Sequence, residues 1–337
     1  MIEIDGSFGE GGGQIVRSSL ALSIITGKPF QIYNVRANRQ KPGLLNQHLT
    51  AVNAAQEISS AKTSGVKLGS SAFTFTPGAV KSGNYRFNIG TAGSTMLVFQ
   101  TILPPLMLAG APSSITLEGG THNPMAPPFE FIKNTFLPLL QQMGVSVKAE
   151  LKAYGFYPQG GGALKFEIEP VEKLAPLHLK EKGAVKAINA RALVVKLPTD
   201  IGNRELRILE KELSQLHNKK VIVVEEGRSP GNVVTIEVQS DTLTETITSI
   251  GERGVKAEEV AHRAAEETNH YLGSPAAVGE HLADQLLIPM ALASEGSFHT
   301  SVLSPHTVTN IDVIQKFLDV KIETAKIAPD LYSVVVG

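Results

Sequence analysis

The chain has 337 residues, 42% of them hydrophobic and 19% charged, with a formal net charge of −1 and no cysteine. Such a chain buries about three quarters of its extended surface on folding, which allows a large core. The lack of cysteine excludes disulfides, thiolate metal sites, iron–sulfur clusters and a cysteine nucleophile. No apolar run is long enough to span a bilayer. Met1-Ile2-Glu3-Ile4-Asp5 carries no secretory pattern, so a cytoplasmic protein with no membrane contact is expected. The charge is unevenly spread: between Gly11 and Leu117 stand nine basic residues and one acid, Glu57. An acid-poor stretch of this kind suits an anionic ligand, or is a positive face with none.

In chain order, Phe8–Gly13 is a glycine-rich loop that follows a short strand and opens an apolar helix over Gln14–Thr26. A strand (Phe30–Val35), a polar loop and a helix (Leu45–Ser59) come next. Strands near Val66–Leu68 and Ala72–Thr76 close the unit. Asn88–Gly93 repeats the opening, with Gly90 and Gly93 falling 81 positions after Gly9 and Gly12. It leads into a helix over Ser94–Ala109, a strand over Ser114–Glu118 and a helix over Phe129–Met143. Strands at Val145–Leu151 and Leu164–Glu169 end this copy. The order is βαβαββ, twice. A weaker third copy begins near Leu177–Leu179 and resumes with a helix over Ala276–Ala293. Strand Ser297–Leu303 follows, then helix Thr309–Leu318, capped by Thr307 or Thr309, and strands Val320–Ala325 and Leu331–Val336. Between its parts, strand Val185–Lys196, helix Arg204–Leu216, three further strands and helix Ala257–Tyr271 have a different order. The expected fold is α/β. Residues 1–183 and 276–337 form a large domain of three repeats (about 1–80, 81–170, and 171–183 with 276–337). Residues 184–275 form a smaller inserted domain.

Gly9–Gly13 fits neither the Rossmann nor the Walker A spacing. It suits either a tight turn or an anion site at a helix N-terminus, where Glu10 could hold a divalent cation. The loop Asn34–Gly43 sets Arg36, Arg39 and Lys41 just before a helix bearing Gln47 and His48, and arginine forks suit phosphate oxygens. Thr121–Phe129 is rich in proline. With Phe131 it could wall a flat aromatic ligand, or it only stiffens the loop. His306 stands at a helix entry, where a neutral imidazole is a competent nucleophile toward phosphorus or an ordinary surface histidine.

Taken together, these segments resemble the RNA 3′-terminal phosphate cyclases. The similarity rests on Glu10-Gly-Gly-Gly-Gln-Ile-Val-Arg17, Arg36-Ala-Asn-Arg39-Gln-Lys-Pro-Gly43, Gln47-His48-Leu49 and Gly119-Gly-Thr-His-Asn-Pro-Met-Ala-Pro127-Pro128. It continues through Gly155-Phe-Tyr-Pro-Gln-Gly-Gly-Gly162, Asp284-Gln285-Leu286, and His306 with Thr309-Asn310. The resemblance implies three βαβαββ units like the C-terminal domain of translation initiation factor 3, the third interrupted by an insert. It implies that ATP adenylylates a histidine with release of pyrophosphate, assisted by Mg²⁺ or Mn²⁺. AMP then passes to the 3′-phosphate of an RNA end, and the 2′-hydroxyl closes a 2′,3′-cyclic phosphate.

By the same resemblance His306 is the nucleophile and Glu10 the metal-associated carboxylate. Arg17, Arg36 and Arg39 face phosphates, with Gln47 and His48 beside them. Gln100, Asp284 and Gln285 contact the nucleotide, Asp284 toward the ribose. Pro127 and Phe131 wall the adenine, and His281 stands where many members stack a tyrosine. Asn38 replaces a usual glycine and is expected to take its positive φ. A homodimer is allowed. A non-catalytic cyclase-like protein of ribosome biogenesis would lack the histidine. Enolpyruvyl transferases, on a related repeated fold, would carry six copies and no insert.

Overall fold

The computed structural model describes residues 1–337. Its first unit contains strands β1 (Ile2–Asp5), β2 (Phe30–Tyr33), β3 (Lys62–Ser64) and β4 (Phe73–Thr76), with helices α1 (Gly13–Thr26) and α2 (Asn46–Ser59). The sheet runs β1-β2-β4-β3. Its first pair is parallel and the others antiparallel. The second unit has β5 (Asn84–Asn88), α3 (Thr95–Leu106), β6 (Ser113–Gly119), a composite helix α4, β7 (Ser146–Ala153) and β8 (Gly162–Glu169). Helix α4 joins Phe129–Phe131 and Leu137–Gln142 through a wider π turn at Ile132–Phe136. The sheet order β5-β6-β8-β7 has the same directions as the first.

After β9 (Leu177–Leu179) comes a segment of different order: β10 (Val185–Val195), α5 (Thr199–Glu212), β11 (Leu216–Val224), β12 (Gly231–Ser240), β13 (Thr244–Ile250) and α6 (Ala257–Gly273). Its sheet is β11-β10-β12-β13. The chain then returns with α7 (Glu280–Ala293), β14 (Gly296–Thr300), α8 (Pro305–Phe317), β15 (Ile322–Ala328) and β16 (Leu331–Val336). These strands complete a sheet ordered β9-β14-β16-β15, with β9 parallel to β14 and the rest antiparallel. Three sheets thus share one topology and the fourth does not.

The packing follows from composition. Helix α1 is buried on nearly every face, and its small residues Ser18, Ser19, Ala21 and Ser23 let α2, α3 and α8 approach closely. A single core of 61 buried residues runs through all three like sheets and their helices. Phe30, Phe99, Phe166 and Phe298 are among its largest members, each worth about 1.5–3 kcal/mol on burial. The segment between β9 and α7 has its own core of 15 residues, drawn only from positions 188 to 271. It is clasped where it leaves and returns. The Lys182 ammonium donates to the carbonyls of Tyr271 and of Ser274, the latter at 2.8 Å, and Glu181 bridges Ala276.

Several elements differ from their sequence expectation. Strand β3 lies at Lys62–Ser64 rather than near Val66–Leu68. Gly65 and Gly69 take φ of +79°, so Gly65–Ser70 forms the turn that returns the chain to β4. Helix α7 starts at Glu280 rather than Ala276, since Ala276 and Val278 form bridges to Glu181 and Thr300. Helix α5 is Thr199–Glu212, and Leu216 already pairs in β11. Helix α8 begins at Pro305. Its cap is Ser304, whose Oγ accepts from the Thr307 N–H at 3.2 Å, not Thr307 or Thr309. Proline at the first helical position and serine before it are the expected start pair. The shift puts His306 in the first turn of a helix rather than in a loop.

Candidate active site

The site gathers at the N-terminus of α1. Gly9 (φ +56°) and Gly11 (φ +62°) fold the loop tightly, and a Cβ on Gly9 would stand 2.2 Å from the Thr309 hydroxyl. That close approach lets Thr309 Oγ1 accept the Glu10 N–H at 3.0 Å, fastening the loop to α8. The helix cap is Gly12, with no side chain capping it. Its first-turn N–H groups therefore have no side-chain partner, the arrangement suited to an anion.

Gln14 links the third unit to the first. Its Nε2 donates to Asp284 Oδ2 at 2.5 Å, which turns its Oε1 toward His306 Nδ1 at 3.1 Å. Because that oxygen can only accept, Nδ1 is the protonated ring nitrogen and Nε2 carries the lone pair. Burial, reinforced by the charges of Arg17 and Arg39, holds the imidazole below its ordinary pKa of 6.5. At neutral pH His306 therefore presents an unprotonated Nε2. Asp284 is pushed up to about 6 by burial, opposed by Arg17, and so is mostly ionised at pH 7. Burial brings Arg17 down to about 10, which leaves it charged. Asn310 holds the relay from outside: its amide donates to the Asp284 carbonyl at 2.8 Å and its oxygen accepts from Ser18 at 2.6 Å.

Glu10 faces the reactive nitrogen, with its Oε1 3.9 Å from His306 Nε2. It is ion-paired with Arg39, whose guanidinium also donates to the Glu10 carbonyl at 3.1 Å. Its other oxygen, Oε2, is buried with no hydrogen-bond partner. His48 accepts the Leu45 N–H at Nδ1 (3.2 Å), so Nε2 is its donor. That nitrogen lies 2.4 Å from where a Cβ on Gly13 would stand. Burial and the neighbouring Arg17 and Arg36 push His48 down to about 3, making it a neutral donor beside Arg17.

Gln100 donates to Gln285 Oε1 at 2.5 Å, and Gln285 donates to the His281 carbonyl at 2.8 Å. Gln14, Arg17, Gln100, Asp284 and Gln285 line one small pocket together. Sequence reasoning singled out neither Gln14 nor Asn310 for a role, and gave Thr309 only that of a candidate helix cap. Gln14 was findable in principle: with Arg17 and Ser18 it makes a polar face at i, i+3 and i+4 on an otherwise apolar helix.

Other expected residues sit elsewhere. Arg36 points into its own loop, donating to the carbonyls of Lys41 at 2.6 Å and Gly43 at 2.9 Å. The left-handed residues of that loop are Asn34, Arg36 and Gly43, so Asn38 does not take the positive φ expected of it. Two successive turns, closed by Ala37 N–H to Asn34 and Arg39 N–H to Arg36, make the bend, and Asn38 stands inside the second of them without a positive φ. Gln47 receives the Ser94 N–H at 3.0 Å and faces a larger cleft. His281 is exposed, with Nε2 3.5 Å from Glu267. Pro127 is half-buried. Phe131 is 3% exposed and packed in the main core, and it lines neither cleft.

The family model described as "RNA 3'-terminal phosphate cyclase" matches residues 8–324. Among similar proteins is the RNA 3′-terminal phosphate cyclase of Ectopseudomonas mendocina, 50% identical over 322 residues, covering 95% of this chain and 94% of that one. Its namesake in Koribacter versatilis is 50% identical over 327 residues, covering 97% and 92%. That of Salmonella typhimurium is 49% identical over 321 residues, covering 95% and 94%. With a match this nearly end to end, the chain belongs to the RNA 3′-terminal phosphate cyclase family.

Proposed function

We propose that the protein converts an RNA 3′-terminal phosphate to a 2′,3′-cyclic phosphodiester at the expense of ATP, with His306 as the nucleophile. The observation that carries this is the Asp284–Gln14–His306 chain, which holds the proton on Nδ1 and leaves Nε2 beside Glu10. Nε2 attacks the α-phosphorus of ATP, the bond to the β-phosphate oxygen breaks, and pyrophosphate leaves. An oxygen of the RNA 3′-phosphate then attacks that phosphorus and displaces the imidazole, giving a phosphoanhydride. Finally the 2′-hydroxyl attacks the 3′-phosphorus, loses its proton and expels AMP. Activation is needed because AMP is a far better leaving group than a bare phosphate oxygen. Arg17, the His48 N–H and the open first turn of α1 suit the charge that develops on phosphate oxygens.

No cluster of three or more acidic or histidine side chains is present to cage a metal. The unpartnered Glu10 Oε2 nevertheless fits one coordination position. Mg²⁺ or Mn²⁺ would take that carboxylate and complete its shell from phosphates and water, the usual arrangement for nucleotide-bound Mg²⁺. When bound, the ion would neutralise phosphate charge; Arg39 would then have to share Glu10 with it. The nucleotide would sit toward Gln100, Asp284 and Gln285, with His281 at the mouth. A packed Phe131 leaves Pro127 as the better-placed adenine wall.

The three like sheets support an arrangement similar to that of the C-terminal domain of translation initiation factor 3. The separate core supports residues 184–275 as an inserted domain. No helix is long and apolar enough to cross a membrane, and a cytoplasmic site suits an enzyme that uses ATP and RNA. The test is incubation with ATP and Mg²⁺ followed by intact-mass measurement, then addition of 3′-phosphorylated RNA. An acid-labile AMP adduct that disappears as cyclic ends appear supports this function. No adduct on the wild-type protein, with RNA still bound, would favour a non-catalytic member.

A further inference from the structure

A second cleft, of about 1020 Å³, opens between the second unit and the inserted sheet. Its floor is aromatic. His122 stacks on Phe156 at 5.2 Å, and the Phe156 ring fills the place where a Cβ on Gly231 would stand. The insert is seated there by contacts outside the cleft as well: Asn134 donates to Glu237 at 2.7 Å, and the Thr135 and Thr246 hydroxyls meet at 2.9 Å. One lip carries Tyr157, 77% exposed, and Met125, 89% exposed. The facing lip carries Arg253 and Lys256, both exposed and in no ion pair. The other charges there are already matched: Arg204 is doubly bonded to Glu258 at 2.7 Å, and Glu252 lies 4.0 Å from Arg263.

The cleft adjoins the reactive pocket. Leu97 lines it, and Gln100, one turn further along α3, lines the pocket that holds Gln14 and Asp284. Gln47 lines it too, and the next residue, His48, reaches Arg17's surroundings. A solvent-exposed tyrosine opposite unpaired cations is the combination that binds single-stranded nucleic acid, since every base has a face to stack and every phosphate a charge to neutralise.

We infer that this cleft holds the RNA strand just upstream of the reacting 3′ end, with a base on Tyr157 and phosphates on Arg253 and Lys256. The inference rests on the proposed cyclase function. It adds that the acceptor end must be unpaired, because a base inside a duplex cannot lie on Tyr157. It also assigns the insert a role in RNA choice and none in ATP chemistry.

Binding is measured by fluorescence anisotropy with a 3′-phosphorylated single-stranded decamer, the same strand in a blunt duplex, and a 3′-phosphorylated dinucleotide. Tyr157→Ala is expected to weaken decamer binding about tenfold. The Arg253→Glu/Lys256→Glu pair should reduce the slope of log affinity against log salt by about one to two units. The duplex should bind the wild type at least tenfold more weakly than the free strand. AMP transfer to the dinucleotide should be unaffected in both variants. Self-labelling with ATP, in which no RNA takes part, checks that each variant is folded. Variants that label normally and bind the decamer like the wild type overturn the assignment, as does equal loss on dinucleotide and decamer. A wild-type protein that never labels with ATP breaks the cyclase function instead. In that case, cross-linking to Tyr157 of 4-thiouridine placed third or fourth from the 3′ end, beyond the reach of a dinucleotide, would still support the cleft, and its absence would overturn it.

Discussion

The pocket at the head of α1 and the cleft under the insert are one helical turn apart, yet they are built in opposite ways. In the pocket the positioning groups are held by neighbours: Gln14 at both ends, Asn310 at both ends, and His48 by a backbone N–H. In the cleft the notable side chains, Tyr157, Arg253 and Lys256, are exposed and unpartnered. A reaction at phosphorus needs groups fixed before the substrate arrives, because reorganising them during the step adds to the barrier. Holding a polymer of varied sequence needs accessible faces and charges that any segment can meet. The difference separates chemistry from capture, and each prediction below tests whether that separation is real.

The largest effect should be at the nucleophile. His306→Ala is expected to lower self-adenylylation roughly 10⁴-fold or more, read as loss of the AMP adduct by intact mass; an adduct that survives would place the nucleophile elsewhere. Arg17→Ala should slow labelling roughly tenfold to over a hundredfold, since a charge-assisted contact is worth about 1.5–3 kcal/mol. A comparable loss confined to RNA transfer would move Arg17 to the capture side. Gln14→Leu should slow labelling by about tenfold or more, because it frees the imidazole tautomer and strips Asp284 of a donor.

Acid should act through the same chain. Asp284 loses its charge as pH falls through about 6, after which it no longer orients Gln14 as an acceptor. His306, held below 6.5, protonates and blocks Nε2. Labelling should therefore fall with two protons on the acid side in the wild type and with one in Asp284→Asn. Identical limbs would show that Asp284 does not tune the nucleophile.

The two loop arginines should part. Arg39→Ala, which unpairs Glu10, should alter the Mg²⁺ dependence of labelling. Arg36→Ala should chiefly cost stability, about 1–3 kcal/mol for hydrogen bonds from a charged group, seen as a lower Tm. The smallest effect on ATP chemistry is expected from replacing residues 184–275 by a short Gly/Ser bridge. Glu181 and Ala276 already sit side by side, so labelling should persist within a few-fold while Tm falls as the Phe156 surface is uncovered. Loss of labelling in a folded deletion would tie the insert to the pocket.

Most of the architecture was legible because it repeats. A glycine loop recurring after 81 residues, each time between a strand and an apolar helix, announces the unit, and an interrupted third copy announces the segment of different strand order between β9 and α7. His306, Glu10, Arg17, His48 and Asp284 were legible as motif members and do converge. Their connector was not. Gln14 touches Asp284 across 270 residues and His306 across 292, and no local pattern encodes so distant a pair. Phe131 misled because an aromatic in a proline-rich segment reads equally as ligand wall or as core, and here packing won. The start of α8 was missed by treating Ser304-Pro305 as loop, although serine followed by proline is also how a helix begins. The large cleft could not be read at all, since its walls come from segments near 125, 157, 204 and 253 that meet only through tertiary packing.

The interruption of the third sheet bears on when the protein becomes active. Leu177 pairs with Gly296, and the intervening chain contains a sheet and helices with their own core. The first two units contain only nearer pairings and can form as the chain emerges from the ribosome, N-terminal parts first. The third can close only after the intervening segment and β14 have been made. Asp284 and His306 both belong to that late-closing part. A nascent chain therefore carries Arg17 long before His306, and under the proposed function it would not label itself with ATP until the last sheet is zipped.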